Sequence, residues 1–178
     1  MKNLYKLLTP AFCSIIVLVL IMIPPAGLAT EGETLVFLIR HAEKVDESRD
    51  PGLSEAGLQR SSELARVLRD AGIQRIHSTD YIRTRDTVAP LANMLGLEVE
   101  LYDWDDPAEF AHSLKQDGQR HLVVGHSNTT PKLVELLGGD PGAEIDHAGE
   151  HDRLYVLTID ENGSVTSLLL RYGQSFRN

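Results

Sequence analysis

Two arginines and two histidines stand where apolar segments of this sequence give way to polar ones, and these four residues could do chemistry together. "TLVFLIRHAEK" runs from Thr34 through apolar residues into Arg40, His41, Glu43 and Lys44. "IHSTDYIR" ends in Ser78, Thr79 and, one helical turn on, Arg83, and "LVVGHSN" ends in His126, Ser127 and Asn128. Arginines beside histidines make an anion site, because the guanidinium fork suits a tetrahedral oxyanion. A neutral histidine in such a site is a nucleophile toward phosphorus, and nearby arginines hold it neutral by disfavouring a second positive charge. Phosphoryl transfer asks mainly for in-line positioning and for positive charge on the equatorial oxygens. His41 with Arg40, Arg83 and His126 would supply both. One geometric condition attaches: neighbouring strand residues point to opposite faces, so Arg40 and His41 share a ligand only if the strand ends at about Ile39 and the backbone turns.

The elements that must position these residues alternate between β-rich and helical segments. "TLVFLIR" reads as a strand buried on both faces, since its apolar run is continuous. "LSEAGLQRSSELARVLRDAG" reads as a helix with Ser54 as N-cap, an apolar stripe of Leu58, Leu64, Ala65 and Leu68, and Gly72 as a stop. "IQRIHST" follows as a strand. "DYIRTRDTVAPLANMLG" reads as a helix from Asp80 to Gly96 with a possible kink at Pro90. "LEVELYD" is a third strand, "PAEFAHSLKQDG" a short helix opened by Pro107, and "RHLVVGH" a fourth strand. A helix through "TPKLVELLGG" precedes "RLYVLTID" and "SVTSLLLRYG", an antiparallel hairpin across "ENG". Strands separated by helices imply an α/β fold of three layers, α/β/α, around a mixed and mostly parallel sheet. Ligands bind such sheets beyond the carboxyl ends of the strands, where Arg40, His41, Arg83, His126 and the acidic turn of Asp103, Asp105 and Asp106 all fall.

The chain has 178 residues, enough for one domain with a real core. Its start, "MKNLYKLLTPAFCSIIVLVLIMIPPAGLAT", places Lys2 and Lys6 before an apolar run from Ala11 to Ile23 and a small-residue end at Ala29. This is the pattern of a cleaved signal peptide over residues 1–29. The apolar run is shorter than the ~18–20 residues a membrane span prefers, so an uncleaved anchor is the alternative and not the first reading. The expected mature domain is residues 30–178, periplasmic or secreted, with no membrane partner once the signal is gone. Cys13 is the single cysteine and lies inside the signal, so export would leave a chain without disulfides, held by its core. Loss of Lys2 and Lys6 leaves 15 basic residues against 26 acidic ones, a formal charge of −11. Such a surface argues against nucleic acid and against a generic grip on anionic membranes, and an anionic substrate would need a local basic pocket.

At these residues the chain resembles a known family. "LIRHAEK" is similar to the Arg-His-Gly/Ala-Glu signature of the histidine phosphatase superfamily, the phosphoglycerate mutase-like proteins. "DPGLSEAG" resembles its Pro-Leu-Thr-x-x-Gly segment, "STDYIRTRDTVAPLA" its Ser-x-x-x-x-Arg-Thr/Ala-x-x-Thr-Ala helix start, and "VVGHSNT" its second-histidine turn. The four pieces occur in the family's order between about Leu35 and Ile159. The resemblance implies a phosphoglycerate mutase-like fold, a small phosphorylated substrate, no cofactor and no metal. It implies His41 as the phosphorylated nucleophile, Arg40 and Arg83 on the transferring phosphoryl group, and His126 completing that pocket, with Glu43 and Ser127 among the substrate-binding residues.

Two departures matter. The family's mutases carry a longer segment before the second histidine, with a glutamate as proton donor, and its acid phosphatases place an aspartate directly after that histidine. This chain is short in that region and reads "HSN", which leaves Asp105 as a weak candidate general acid. The compact layout is most similar to the small phosphatase branch that includes phosphohistidine phosphatases, with an open pocket. His77, His112, His121, His147 and His151 read as surface or packing residues. His147 and His151 have the His-x-x-x-His metal spacing, but Gly149 between them argues against a helix there. Arg85 reads as a surface charge, and Trp104 as a residue lining the pocket. The leading expectation is an exported, metal-independent hydrolase of a phosphate monoester or phosphoramidate, working through a phosphohistidine on His41. The alternatives are a phosphohistidine protein phosphatase and a non-catalytic phosphosugar-binding or envelope-interaction protein that keeps the anion pocket.

Overall fold

The computed structural model describes residues 32–176. The expected signal over residues 1–29, with Cys13, lies outside the described residues. Six strands and four helices follow in the order β1 (Thr34–Arg40), α1 (Glu55–Leu68), β2 (Arg75–Ser78), α2 (Ile82–Leu95), β3 (Val99–Leu101), α3 (Pro107–Lys115), β4 (Arg120–Gly125), α4 (Thr129–Leu137), β5 (Arg153–Ile159) and β6 (Val165–Arg171). The sheet order is β3-β2-β4-β1-β5-β6. β3, β2, β4 and β1 are parallel neighbours, and β5 and β6 add on antiparallel, which makes the sheet mixed and mostly parallel.

β1 is central, and its continuous apolar run has the cause expected of it. Phe37 and Ile39 pack into one cluster with Leu64, Ala65 and Leu68 of α1 and Val88 and Leu91 of α2. Val36 and Leu38 face the other way, into a cluster with Leu114 of α3 and Leu133, Val134 and Leu137 of α4. Helices therefore cover both faces, and every second residue of β1 belongs to a different core.

Local signals set most boundaries. Ser54 accepts a hydrogen bond from the Gly57 amide and caps α1, while Asp106 caps α3 by accepting from Glu109. Gly96 ends α2 at φ +67°, a left-handed conformation suited to glycine. The start of α2 falls later than the sequence suggests, at Ile82, because the Asp50 carboxylate, and not Asp80, takes the Ile82 amide. Pro90 lies within α2 without ending it. Leu58 is 56 % exposed, outside the buried stripe of α1, whose inner face instead carries Gly57, Arg60 and Ser61. Gly57 is needed there because a Cβ would lie 2.3 Å from the Glu43 carbonyl oxygen.

Candidate active site

Because β1, β2 and β4 are parallel, their carboxyl ends point to one edge, and the chain leaving each contributes to one pocket of about 240 Å³. Arg40, His41, Arg83 and His126 all line it. The condition set by strand geometry is met one residue later than expected. β1 runs through Arg40, paired with Gly125, and the His41 amide still donates to the Gly125 carbonyl at 2.9 Å. The pocket sits over the end of the strand, so side chains leaving either face of β1 reach it. The turn that follows is fixed by the Ala42 amide, which donates to the Thr87 hydroxyl of α2 at 2.9 Å.

His41 is 4 % exposed. Its Nδ1 lies 2.8 Å from the Ala42 carbonyl oxygen. A carbonyl only accepts, so Nδ1 carries the hydrogen and Nε2 keeps a free lone pair. Burial, with the Arg40 charge alongside, pushes the ring pKa down to about 2, so the imidazole is neutral throughout the physiological range. An unprotonated Nε2 is the state a nucleophile toward phosphorus requires.

Arg40 is fixed by what its guanidinium already holds. Both Nη1 hydrogens go to carbonyls, those of Asp146 at 2.9 Å and Glu150 at 3.0 Å, and Nη2 donates to the His147 carbonyl at 2.7 Å. Of the five N–H groups of an arginine, this leaves one on Nη2 and the one on Nε. Those two form the side edge of the fork, the pair that grips two oxygens of one phosphoryl group. Burial lowers the Arg40 pKa to about 10, which leaves it charged. Nε is buried without a hydrogen-bond partner among the described residues, and so is Nε of Arg83. Each such orphan costs on the order of 1–3 kcal/mol. Both arginines line the pocket, so an oxyanion there would meet two guanidinium charges. The Arg83 guanidinium lies over the Tyr81 ring, 4.2 Å from its centre, and Nη1 is 3.6 Å from the Asp50 carboxylate.

His126 is oriented by a short hydroxyl chain. Thr84 Oγ1 donates to the Thr79 and Tyr81 carbonyls, and Thr79 Oγ1 donates to Thr84 Oγ1 at 3.1 Å. Thr79 Oγ1 therefore accepts from His126 Nε2, 3.0 Å away, and Nδ1 is the unengaged nitrogen. Burial, then Arg83 and Arg40, push this ring down to about 4. The His126 amide donates to the Thr129 hydroxyl at 2.9 Å, an approach that needs Gly125, whose Cβ would stand 2.7 Å from that oxygen. Helix α4 begins here, with Asn128 and Thr129 in the pocket wall, and its positive end adds to the anion field.

Two residues expected at the site lie elsewhere. Glu43 does not line the pocket: its carboxylate is held by Arg60 through Nε, at 3.0 Å to both oxygens, and through Nη2 at 2.8 Å. Arg60 also donates to the Tyr172 and Gln174 carbonyls, so the pair ties β1, α1 and the C-terminal segment together. Asp105 is exposed and outside the pocket lining; its amide donates to Asp103 within the acidic turn. Trp104 beside it does line the pocket, at 43 % exposure. Arg85 pairs with Asp80 at the surface.

Sequence reasoning missed His147 and His151. His147 lines the pocket, its Nδ1 2.8 Å from Ser127 Oγ. His151 is 5 % exposed, donates from Nδ1 to the His41 carbonyl at 2.8 Å, and stands with its ring 5.5 Å from that of His41. Burial, then Arg40, lower its pKa to about 4. The two lie on a turn and not on a helix, and the only sequence signal was their spacing.

Residues 36–106, which carry Arg40, His41 and Arg83, match the histidine phosphatase superfamily (branch 1). The chain has a histidine phosphatase segment on a phosphoglycerate mutase-like fold. No curated protein sequence matches it. Among solved structures it is similar to the protein histidine phosphatase SixA complexed with tungstate, at 22 % identity over 77 % of this chain and 96 % of that one, with a TM-score of 0.63. A phosphoglycerate mutase from Bacillus anthracis is 13 % identical over 80 % of this chain and 94 % of that one, with a TM-score of 0.63. A mycobacterial glucosyl-3-phosphoglycerate phosphatase is 17 % identical over 80 % of this chain and the whole of the other, with a TM-score of 0.57. The histidine phosphatase match stops before β4, so the place of His126 in the site rests on the geometry given above.

Proposed function

We propose that this protein is an exported, metal-independent phosphatase that hydrolyses a phosphate monoester or phosphoramidate through a phosphohistidine at Nε2 of His41. The observation that carries this reading is the coincidence of a neutral, buried His41 with a free Nε2 and two guanidinium groups whose buried Nε–H atoms have no partner. The phosphoryl oxygens would satisfy Arg40 through Nε and Nη2 and Arg83 through Nε. His126 would take up a proton at Nδ1 as the dianion enters. These groups would place positive charge beside the oxygens that carry negative charge in the transition state, which is why the reading calls for no metal. Attack by Nε2 on phosphorus forms the N–P bond as the leaving group departs, and water then displaces the histidine.

Export rests on the N-terminal sequence, and the substrate class on the pocket. A volume of about 240 Å³ is below the roughly 300–1,000 Å³ of most small-molecule sites, so the phosphoryl group would be enclosed and the rest of the substrate would project outward. Among the described residues no carboxylate lines this pocket, which also favours a second reading, a phosphohistidine protein phosphatase, since a phosphoramidate leaves with less help.

The test uses purified residues 30–178 with a chelator present. The expected result is phosphate release from an aryl phosphate and an alkali-stable, acid-labile phosphoenzyme, both abolished in His41→Ala. Release that needs added metal would remove metal independence. A wild-type protein that binds phosphate tightly without ever forming the phosphoenzyme would instead establish a binding protein.

A further inference from the structure

We infer that His147, held by Ser127, is the proton donor to the leaving group, a role no carboxylate in this pocket fills. The inference rests on the reading of His41 as nucleophile. Displacement at phosphorus is in line, so the leaving group lies opposite the attacking nitrogen. His41 and Arg40 form the buried floor of the pocket, at 4 % and 2 % exposure, so the leaving group faces the open rim. A proton donor must therefore be sought on the rim.

The ionisable groups there are few. Lys44 has its ammonium on Glu47, and Tyr81 has its ring under the Arg83 guanidinium and edge-on to His126. His126 belongs to the inner wall with Nε2 on Thr79. His147 remains: exposed, in the pocket wall, and fixed at both ends, with its carbonyl on Arg40 Nη2 and its Nδ1 on Ser127 Oγ. The Ser127 contact decides which nitrogen works. In the protonated ring Nδ1–H donates to Ser127 Oγ and Nε2–H is the free donor; after transfer the neutral ring keeps its hydrogen on Nδ1, still on Ser127, and Nε2 holds the lone pair that can take a proton back. The transferable proton is therefore the one on Nε2 of the protonated ring, and the same nitrogen is the acceptor in the return step.

The steps balance. His41 Nε2 forms the N–P bond as the P–O bond to the leaving group breaks, and the departing oxygen takes the proton from His147 Nε2. In the second step water attacks phosphorus and gives its proton back to His147. The N–P electron pair returns to His41, and inorganic phosphate leaves. Arg40 links the two halves of this device, since one guanidinium holds the phosphoryl oxygens and the backbone of the residue that protonates the leaving group.

A role in protonation is separated from a structural one by a series of phosphate monoesters of decreasing leaving-group acidity, from 4-nitrophenyl to simple alkyl, assayed with wild type, His147→Gln and Ser127→Ala. The expected result for His147→Gln is a several-fold loss of kcat/KM on the nitrophenyl ester and a loss of about 10²–10³ on the alkyl ester. The dependence on leaving-group acidity should steepen accordingly, with a smaller change in Ser127→Ala. Added imidazole should restore part of the alkyl phosphatase activity of His147→Ala. Equal losses across the series, or no loss, would overturn the assignment while the His41 phosphoenzyme still forms. Failure of the wild type to form that phosphoenzyme would remove the assignment together with the reading it rests on.

Discussion

Two pairs of neighbouring histidines, His41 with His126 and His77 with His121, sit in different surroundings. His41 and His126 lie with ring centres 5.4 Å apart at the ends of β1 and β4, while His77 and His121 lie 5.2 Å apart within β2 and β4, beneath α3. Burial is the leading cause of a lowered pKa in all four. The surroundings differ. His77 Nε2 and His121 Nδ1 bond each other at 3.0 Å, and the outer nitrogens face carboxylates, His77 Nδ1 at 3.9 Å from Glu100 and His121 Nε2 at 3.6 Å from Asp117. Both acids are already bound by Arg75. His41 and His126 instead share their pocket with Arg40 and Arg83, whose Nε–H groups have no partner among the described residues, and each of the two rings keeps one nitrogen unengaged. Neutrality alone therefore does not make a histidine reactive. A free lone pair beside uncommitted cations does.

Substitutions can test this contrast, and the largest effect should come from Arg40→Met. It removes two donors from the phosphoryl site and three hydrogen bonds from the 146–150 turn. We expect kcat/KM to fall more than 10³-fold and unfolding free energy to drop by about 3 kcal/mol, read by phosphatase assay and denaturant titration. Arg83→Met should cost about 10²–10³ in kcat/KM with little change in stability, because among the described residues no backbone carbonyl accepts from its guanidinium. The same variant should raise the His126 pKa above about 4 in an NMR titration, since Arg83 is one of the charges holding it down. An unchanged His126 would mean that burial alone sets the value and that the contrast drawn above is wrong in its electrostatic half.

Ligand and acid act on the two regions differently. Tungstate or phosphate at a hundred times Kd should stabilise the wild type by about 2.7 kcal/mol, roughly 5–10 °C in Tm, and Arg83→Met much less at the same concentration. Acid should destabilise the fold. The buried rings have folded pKa values below the ordinary value of 6.5, so between 6.5 and about 4 the unfolded chain takes up protons that the folded one refuses. Their contribution is complete above pH 6.5 and is lost as the pH falls toward 4. The smallest effect on activity should follow His77→Leu with His121→Leu, made together so that no ring nitrogen is stranded. Its kcat/KM should stay within about twofold, and its acid unfolding midpoint should move to lower pH. A loss of activity approaching that of Arg83→Met would show that the two pairs communicate through β4.

The four residues proposed for the site were legible because each lies at the end of a strand or within a few residues beyond it, and parallel strands bring such positions together without further information. The residues that escaped notice depend on contacts across long sequence separations. Glu43 looked like a pocket residue until Arg60, 17 positions on, turned out to hold it. That same buried arginine explains the misplaced stripe of α1, where Leu58 gives way to a charged residue on the inner face. His147 and His151 sit on a turn with no periodicity, fixed by Arg40 and by the His41 carbonyl more than a hundred residues earlier. Asp105 suggested itself only because it follows a strand, and β3 is a three-residue edge strand whose following turn brings Trp104, and not its aspartates, into the pocket.

The way Arg40 holds the 146–150 turn has an evolutionary consequence. Its three bonds reach main-chain oxygens, which every amino acid presents alike. Side chains on the turn, such as that of Ala148, can therefore be exchanged without loosening it from Arg40. A descendant could acquire a different preference for what the phosphate is attached to while its reactive floor stays as it is. The arginine at the floor of the pocket thus also leaves the side chains of the adjoining turn free to diversify.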